Sequence, residues 1–156
     1  WHQDGQYWPI RPLATCTVWL AIDDAKVENG CLRFIKGSHK EKKLKSHNIN
    51  DNKNLTLNQE LDESEYNEKD AVNLILKRGQ ISLHDVYLVH GSEANNSSMA
   101  RRAVTMRFMP TSSVFDHQMV KDKNLFSKLN ASKYQDRKIY HMRGRDISGK
   151  NNLTYI

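Results

Sequence analysis

The chain has 156 residues, a formal charge of +6 at pH 7 and a hydrophobic content of 38%. This length suits one hydrophobic core, so we expect a single domain over residues 1–156. No apolar run approaches the roughly 20 residues that a helix needs to cross a bilayer. The composition therefore excludes a helical membrane protein, and we expect no membrane partner.

The two cysteines, Cys16 and Cys31, lie in apolar segments with strand character. We expect buried free thiols rather than a disulfide, because a chain of this size with an ordinary core does not need a cross-link. Free thiols favour a reducing compartment, so the cytoplasm is the predicted location.

The main cluster of basic side chains lies in residues 39–45, and no aromatic side chains are interleaved with it. Nucleic-acid-binding surfaces usually combine the two. We therefore interpret the cluster as a solvated loop and expect no nucleic-acid partner, with attraction of anionic substrates as the open alternative.

Short segments rich in β-branched and aromatic residues follow one another along the chain, separated by turn signals such as Asn29-Gly30 and Gly37-Ser38. Such segments favour strands, and the first of them is apolar enough to be buried on both faces. Many short strands without an alternation of strand and helix predict an all-β fold of the sandwich or jelly-roll type. The predicted strands are 14–22, 31–35, 72–76, 80–84, 102–109 and 139–142.

Two other stretches have a different character. Residues 40–70 are rich in Lys, Asn and Glu and lack periodicity, so we expect a long loop there; loops of this length are usually functional or disordered. Residues 121–129 favour a short helix. They lie in a carboxyl-terminal extension, 111–156, which follows a core at 1–110.

Two short segments, far apart in the chain, carry side chains that together could ligate one metal ion. His2 and Asp4 are two residues apart near the amino end, and on a strand such residues point to the same face while Gln3 points away. His90 lies at the end of an apolar run and could supply a third ligand. Two imidazoles and one carboxylate are the ligand set of non-haem Fe(II) oxygenases, which leaves three coordination positions open. With seven histidines in the chain, however, a His-x-Asp triplet alone is a weak signal.

Arg101 follows His90 at the start of the 102–109 strand. A dicarboxylate that chelates iron at one end needs a cation at its other end, and the planar fork of an arginine binds a carboxylate through two hydrogen bonds. Ser92 adds a hydroxyl donor beside His90. Without the histidine, an ordinary surface arginine would be the simpler interpretation of Arg101.

These residues belong to an ordered set of motifs that resembles the phytanoyl-CoA dioxygenase family, whose members are Fe(II)- and 2-oxoglutarate-dependent oxygenases. The resemblance covers about residues 1–110, and an ordered set is more specific than any single motif. The matching motifs are residues 1–9, 17–24, 28–39, 89–92 and Arg101.

The resemblance implies a role for each candidate residue. It selects Arg101 rather than Arg102, and strand alternation sends these two side chains to opposite faces. For Trp19 the alternative of a plain core aromatic stays open. The implied catalytic residues and iron ligands are His2, Asp4 and His90, and the implied 2-oxoglutarate contacts are Arg101, Ser92 and Trp19.

The resemblance also implies a double-stranded β-helix, or cupin-like jelly roll, that binds Fe(II) and 2-oxoglutarate. The implied reaction hydroxylates a small organic substrate while 2-oxoglutarate and O2 become succinate and CO2. Halogenating relatives carry a small residue where Asp4 stands, so hydroxylation is favoured. Relatives also carry a substantial region before the His-x-Asp motif, so we expect a carboxyl-terminal fragment whose jelly roll is incomplete at its amino end.

Two hypotheses from other classes remain. A non-catalytic jelly-roll module that binds small ligands would have no Fe(II) affinity. A basic nucleic-acid-associated protein would show salt-sensitive binding.

Overall fold

The computed structural model describes residues 1–50, 52, 53, 55, 57–120 and 134–156. The chain divides into two compact units, one formed by residues 1–6 and 16–108 and the other by 7–15 and 109–156. The expected single domain, with a core at 1–110, stays a prediction.

Short strands make up most of the regular structure in the described residues. Single turns of 3-10 helix occur at Asp4–Gln6, Glu63–Glu65 and Glu68–Asp70, and a short helix, α1, spans His117–Val120. No helix among the described residues is long and apolar enough to span a membrane. The strands are β1 (Ile10–Arg11), β2 (Cys16–Ala21), β3 (Leu32–Ile35), β4 (His47–Ile49), β5 (Gln59–Leu61), β6 (Ala71–Leu74), β7 (Ile81–Asp85), β8 (His90–Ser92), β9 (Ala103–Phe108), β10 (Val114–Phe115), β11 (Ile139–His141) and β12 (Leu153–Tyr155).

Two antiparallel three-stranded sheets, ordered β7-β2-β9 and β6-β3-β8, lie in the first unit. Their inner faces share one core, in which apolar side chains of both sheets pack together, as expected when two sheets each bury one face. The all-β fold predicted from the sequence is therefore confirmed. The core residues are Trp19, Ala21, Ala25, Cys31, Leu32 and Leu76, with Phe34, Leu74 and Ala103 packed against them.

Burial alternates along β2, so the expectation that 14–22 is buried on both faces is wrong. Thr17, Trp19 and Ala21 are buried, whereas the side chains between them are only partly covered. An antiparallel sheet commonly packs one face on the core and leaves the other outside. For the same reason Cys16 is exposed rather than buried, while Cys31 is buried as expected and both thiols are free.

The outer side of the β7-β2-β9 sheet is apolar, and we call it the outer apolar face. The register places Leu83 and Met106 on either side of Val18 on this side of the sheet. Leu83 is 62% exposed and Met106 is 40% exposed. The outer apolar face comprises Val18, Leu20, Ile81, Leu83, Val104 and Met106, and the register row of Cys16, Asp85 and Phe108 borders it.

The 40–70 segment contains more structure than the sequence predicted. Strands β4 and β5 pair as an antiparallel hairpin, and two 3-10 turns follow it. Each strand has only three residues, which is too short for alternation to be recognised in a polar sequence. The expectation of a continuous loop is therefore wrong for this part.

The second unit contains the antiparallel pair β1-β10 and the parallel pair β11-β12. Trp8 is its aromatic centre, with ring centroids 4.8 Å from Tyr134 and 6.4 Å from Phe115 and the Arg137 guanidinium 5.3 Å above its ring. The helix predicted at 121–129 lies outside the described residues.

Candidate metal centre

The two segments that carry the candidate ligands are joined by their backbones. The His2 N–H donates to the His90 carbonyl at 2.9 Å, and the His90 N–H donates to the His2 carbonyl at 3.0 Å. This antiparallel bridge sets the two imidazoles side by side, with ring centroids 4.1 Å apart. On its other side β8 pairs with β3, which faces His90 with Phe34.

Asp4 reaches the two histidines from a turn rather than from a strand. It begins the 3-10 turn Asp4–Gln6, so the expected continuous strand through His2 and Asp4 is wrong. Its Oδ1 nevertheless lies 3.7 Å from His2 Nε2 and 3.9 Å from His90 Nε2. One ligand atom from each of the three side chains fits within 4.8 Å of the others. Two atoms that each bind one ion at about 2 Å are at most about 4 Å apart, and the Asp4 separations of 3.7 and 3.9 Å lie within that limit.

The surroundings of both imidazoles favour the neutral form of the ring, which has a nitrogen lone pair for a metal. His90 donates its Nδ1–H to the Leu88 carbonyl at 2.8 Å, which leaves Nε2 as the acceptor that faces Asp4. Burial lowers the pKa of His90. Burial and the neighbouring His90 together lower the pKa of His2 to about 4. Both rings are thus neutral at pH 7, which metal ligation requires.

The second oxygen of Asp4 faces a different group of side chains. Thr17 donates its hydroxyl to Oδ2 at 3.2 Å, Arg107 Nη2 lies 3.7 Å from Oδ2, and His84 Nε2 lies 3.9 Å from it. Burial raises the pKa of Asp4, but the adjacent His2, the positive charge that His90 carries when it is protonated at low pH and the charge of Arg107 outweigh it and bring the pKa well below its usual range. Asp4 is therefore an ionised carboxylate.

Thr17, His84 and Arg107 form one row across the sheet, because Thr17 of β2 is the register partner of both others. Sequence reasoning missed this row. Its only local signal is that Thr17 precedes the inward Trp19 by two residues, and the pairing that aligns the three strands is not visible in the sequence.

Gln3 points away from the two ligands beside it, as predicted, and is completely buried. Its amide donates to the carbonyls of Lys43 at 3.1 Å and Tyr87 at 2.7 Å, and its Oε1 accepts the Lys45 N–H at 2.8 Å. It thus ties the 43–45 segment and the turn before His90 to the His-x-Asp segment.

The two neighbouring arginines have different surroundings. The Arg101 guanidinium lies 5.8 Å from the centroid of the Trp19 ring. Arg102 instead forms two hydrogen bonds of 2.8 Å with the Asp23 carboxylate at the surface. Trp19 is only 5% exposed, so it is a core aromatic that also meets Arg101. Ser92 ends β8 two residues after His90 and is exposed.

Two buried polar atoms on the inner side of β7 have no hydrogen-bond partner among the described residues: Ser82 Oγ and His84 Nδ1. The register places Ser82 beside Trp19 and His84 beside Thr17. Leaving a buried polar atom unpaired costs about 1–3 kcal/mol, so such atoms suggest a polar ligand. The donor set of His2, Asp4 and His90 fits Fe(II), and these two atoms fit a polar cosubstrate beside it.

A jelly roll that gathers two imidazoles and a carboxylate is the architecture of a class of non-haem metal proteins. The sequence model of the phytanoyl-CoA dioxygenase (PhyH) family matches residues 1–103. The chain belongs to this family.

Individual proteins are also similar to this chain in sequence or in structure. The phytanoyl-CoA dioxygenase domain-containing protein 1 homolog of Dictyostelium discoideum is 36% identical over 110 residues, which cover 69% of this chain and 39% of that protein. The non-heme monooxygenase ThoJ, solved in its apo form, superposes with a TM-score of 0.61 at 25% identity over 72% of this chain and 40% of its own. EvdO2 from Micromonospora carbonacea var. aurantiaca, solved with 2-oxoglutarate, gives a TM-score of 0.59 at 28% identity over 69% of this chain and 43% of its own. The chain thus spans about two fifths of the length of these proteins.

Proposed function

We propose that this protein is an Fe(II)- and 2-oxoglutarate-dependent dioxygenase that hydroxylates a small organic substrate. In this reaction 2-oxoglutarate and O2 become succinate and CO2. The observation that carries the proposal is the convergence of His2, Asp4 and His90 in a jelly roll of this family. The free cysteines favour a cytoplasmic location.

In the proposed site His2, Asp4 and His90 hold Fe(II). When bound, the iron and its cosubstrate supply the oxidising chemistry, and the protein supplies ligands, orientation and shielding from water. The Leu88 carbonyl holds the His90 ring in the ligating tautomer. The ionised Asp4 balances part of the charge of the cation.

The proposed 2-oxoglutarate contacts are Arg101, Ser92 and Trp19. Arg101 forms a bidentate pair with the distal carboxylate, and Trp19 supports the guanidinium from below. The engagement of Arg102 by Asp23 favours Arg101 for this role. The 2-oxoglutarate in the EvdO2 structure supports the choice of cosubstrate.

The proposal is tested by anaerobic titration of the purified protein with Fe(II) and 2-oxoglutarate. A weak visible metal-to-ligand charge-transfer band is expected in the wild type. The band should be lost in His2→Ala and His90→Ala, and Arg101→Ala should need a higher 2-oxoglutarate concentration to reach it. Arg102→Ala, the matched control, should behave like the wild type.

Absence of the band in the wild type would favour the non-catalytic ligand-binding module instead. A band that is unchanged in all three site variants would contradict the assignment of residues.

A further inference from the structure

The two oxygens of Asp4 are used for different purposes. Oδ1 faces His2 and His90, at 3.7 and 3.9 Å from their Nε2 atoms. Oδ2 is turned to the inner face of the β7-β2-β9 sheet, where the Thr17 hydroxyl donates to it at 3.2 Å. The carboxylate therefore presents one oxygen to the candidate metal position and keeps the other in a protein hydrogen bond.

We propose that Thr17 is a positioning residue that restricts Asp4 to coordination through one oxygen, and thereby preserves a third open coordination position on the metal. The inference rests on the proposed function, since it concerns the metal of that site.

The importance of the third position follows from the number of coordination positions on the metal. An octahedral ion with three protein ligands keeps three positions for other ligands. A chelating 2-oxoglutarate would occupy two of them, which would leave one for O2. If Asp4 used both of its oxygens, no position would remain after the cosubstrate had bound.

Thr17 is better suited to this task than the other two side chains near Oδ2. It is only 1% exposed and lies on the central strand, which is paired on both sides by β7 and β9. Its hydroxyl is the group within hydrogen-bond distance, whereas Arg107 and His84 lie at 3.7 and 3.9 Å. Arg107 is partly exposed and donates its Nη1–H to the Thr105 hydroxyl at 3.0 Å instead.

The test counts the water molecules on Mn(II), which serves as a redox-stable substitute for Fe(II) with the same octahedral preference. The purified protein is loaded with Mn(II), and bound water is measured by water-proton relaxation, before and after 2-oxoglutarate is added. Thr17→Val removes the hydroxyl at nearly constant volume, and Thr17→Ser restores it. Thr15→Val is the matched control, because the Thr15 hydroxyl is buried and has no partner among the described residues.

In the wild type and in Thr15→Val we expect three waters, which fall to one after 2-oxoglutarate has bound. Thr17→Val is expected to hold two waters, which fall to none, and Thr17→Ser is expected to return to the wild-type count. A wild-type count in Thr17→Val would overturn the inference. An equally low count in Thr17→Ser would also overturn it, because packing and not the hydroxyl would then be responsible.

If Thr17→Val, but none of the other proteins tested, failed to bind Mn(II), the single-oxygen role would be contradicted. Thr17 would then orient Asp4 for metal binding as such. Failure of the wild type to bind Mn(II) would instead refute the proposed function itself, so the two failures are distinguishable.

Discussion

Gln3 shows how a single side chain can hold a ligand segment without touching the metal. It is completely buried, and its amide group satisfies two carbonyls and one N–H from distant parts of the chain. Gln3→Met keeps the volume but leaves these groups unpaired. We expect a loss of about 2 kcal/mol or more in the free energy of unfolding, because each unpaired buried group costs about 1–3 kcal/mol.

Urea denaturation measures this loss. The exposed Gln118 provides the control, since Gln118→Met should leave the denaturation midpoint unchanged. An equal effect of both substitutions would show that the Gln3 hydrogen bonds do not stabilise the fold.

The Asp23–Arg102 pair gives a pH-dependent prediction at the surface. Hydrogen bonds from Arg102 hold the pKa of Asp23 well below its usual range. Because the folded pKa lies below the unfolded value of about 3.9, the pair stabilises the protein above that pH and stops doing so as the pH falls through the folded pKa. In Arg102→Gln the pKa of Asp23, followed by NMR titration, should rise towards the unfolded value. A pKa that did not move would contradict the assigned partner.

The convergence of His2, Asp4 and His90 could be predicted from the sequence because metal-ligand chemistry restricts the residue types. The role of Arg101 stays a prediction that rests on the family resemblance. The partners of Asp4 Oδ2 could not be predicted from the sequence. Thr17, His84 and Arg107 come from three strands that are distant in the chain, and only the strand register brings them together.

At the scale of the strands, the outer apolar face defined above is expected to affect the behaviour of the purified chain. Contiguous exposed apolar surface binds hydrophobic dyes and promotes association. The double variant Leu83→Lys with Met106→Lys should lower dye fluorescence and self-association while the circular dichroism spectrum is unchanged. Leu32→Lys, a change at a buried position of β3, should unfold the protein.

If the double variant unfolded as Leu32→Lys does, the face would be part of a core rather than exposed. Unchanged dye binding in the folded double variant would show that the dye binds to a part of the protein other than the outer apolar face.

The strands that the sequence predicted are those with several β-branched or aromatic residues. The prediction for 80–84 differs from β7 by one residue at each end, and 102–109 encloses β9. The short hairpin β4-β5 and the pair β1-β10 were missed, since strands of two or three residues are fixed by their tertiary partners rather than by local pattern.

For the whole molecule, the proposed function predicts stabilisation by its ligands. A ligand at 100 times its dissociation constant adds about 2.7 kcal/mol to the free energy of unfolding. Mn(II) and 2-oxoglutarate together should therefore raise the Tm by several degrees in thermal denaturation. A chelator should reverse the shift, and His2→Ala should abolish it.

A shift that persists in His2→Ala would mean that the ligands bind outside the His2, Asp4 and His90 site. No shift at all in the wild type would argue against the oxygenase and for the ligand-binding module.

The backbone bridge between His2 and His90 fixes the spacing of these two ligands locally, although they are far apart in the sequence. The distance between these ligands is set by two hydrogen bonds between neighbouring backbones and not by the residues 3–89 that connect them. Changes among the connecting residues that leave this bridge intact can therefore leave the spacing of the two imidazoles unaltered. Change in the connecting sequence and constancy of the ligand spacing are thus compatible in one fold.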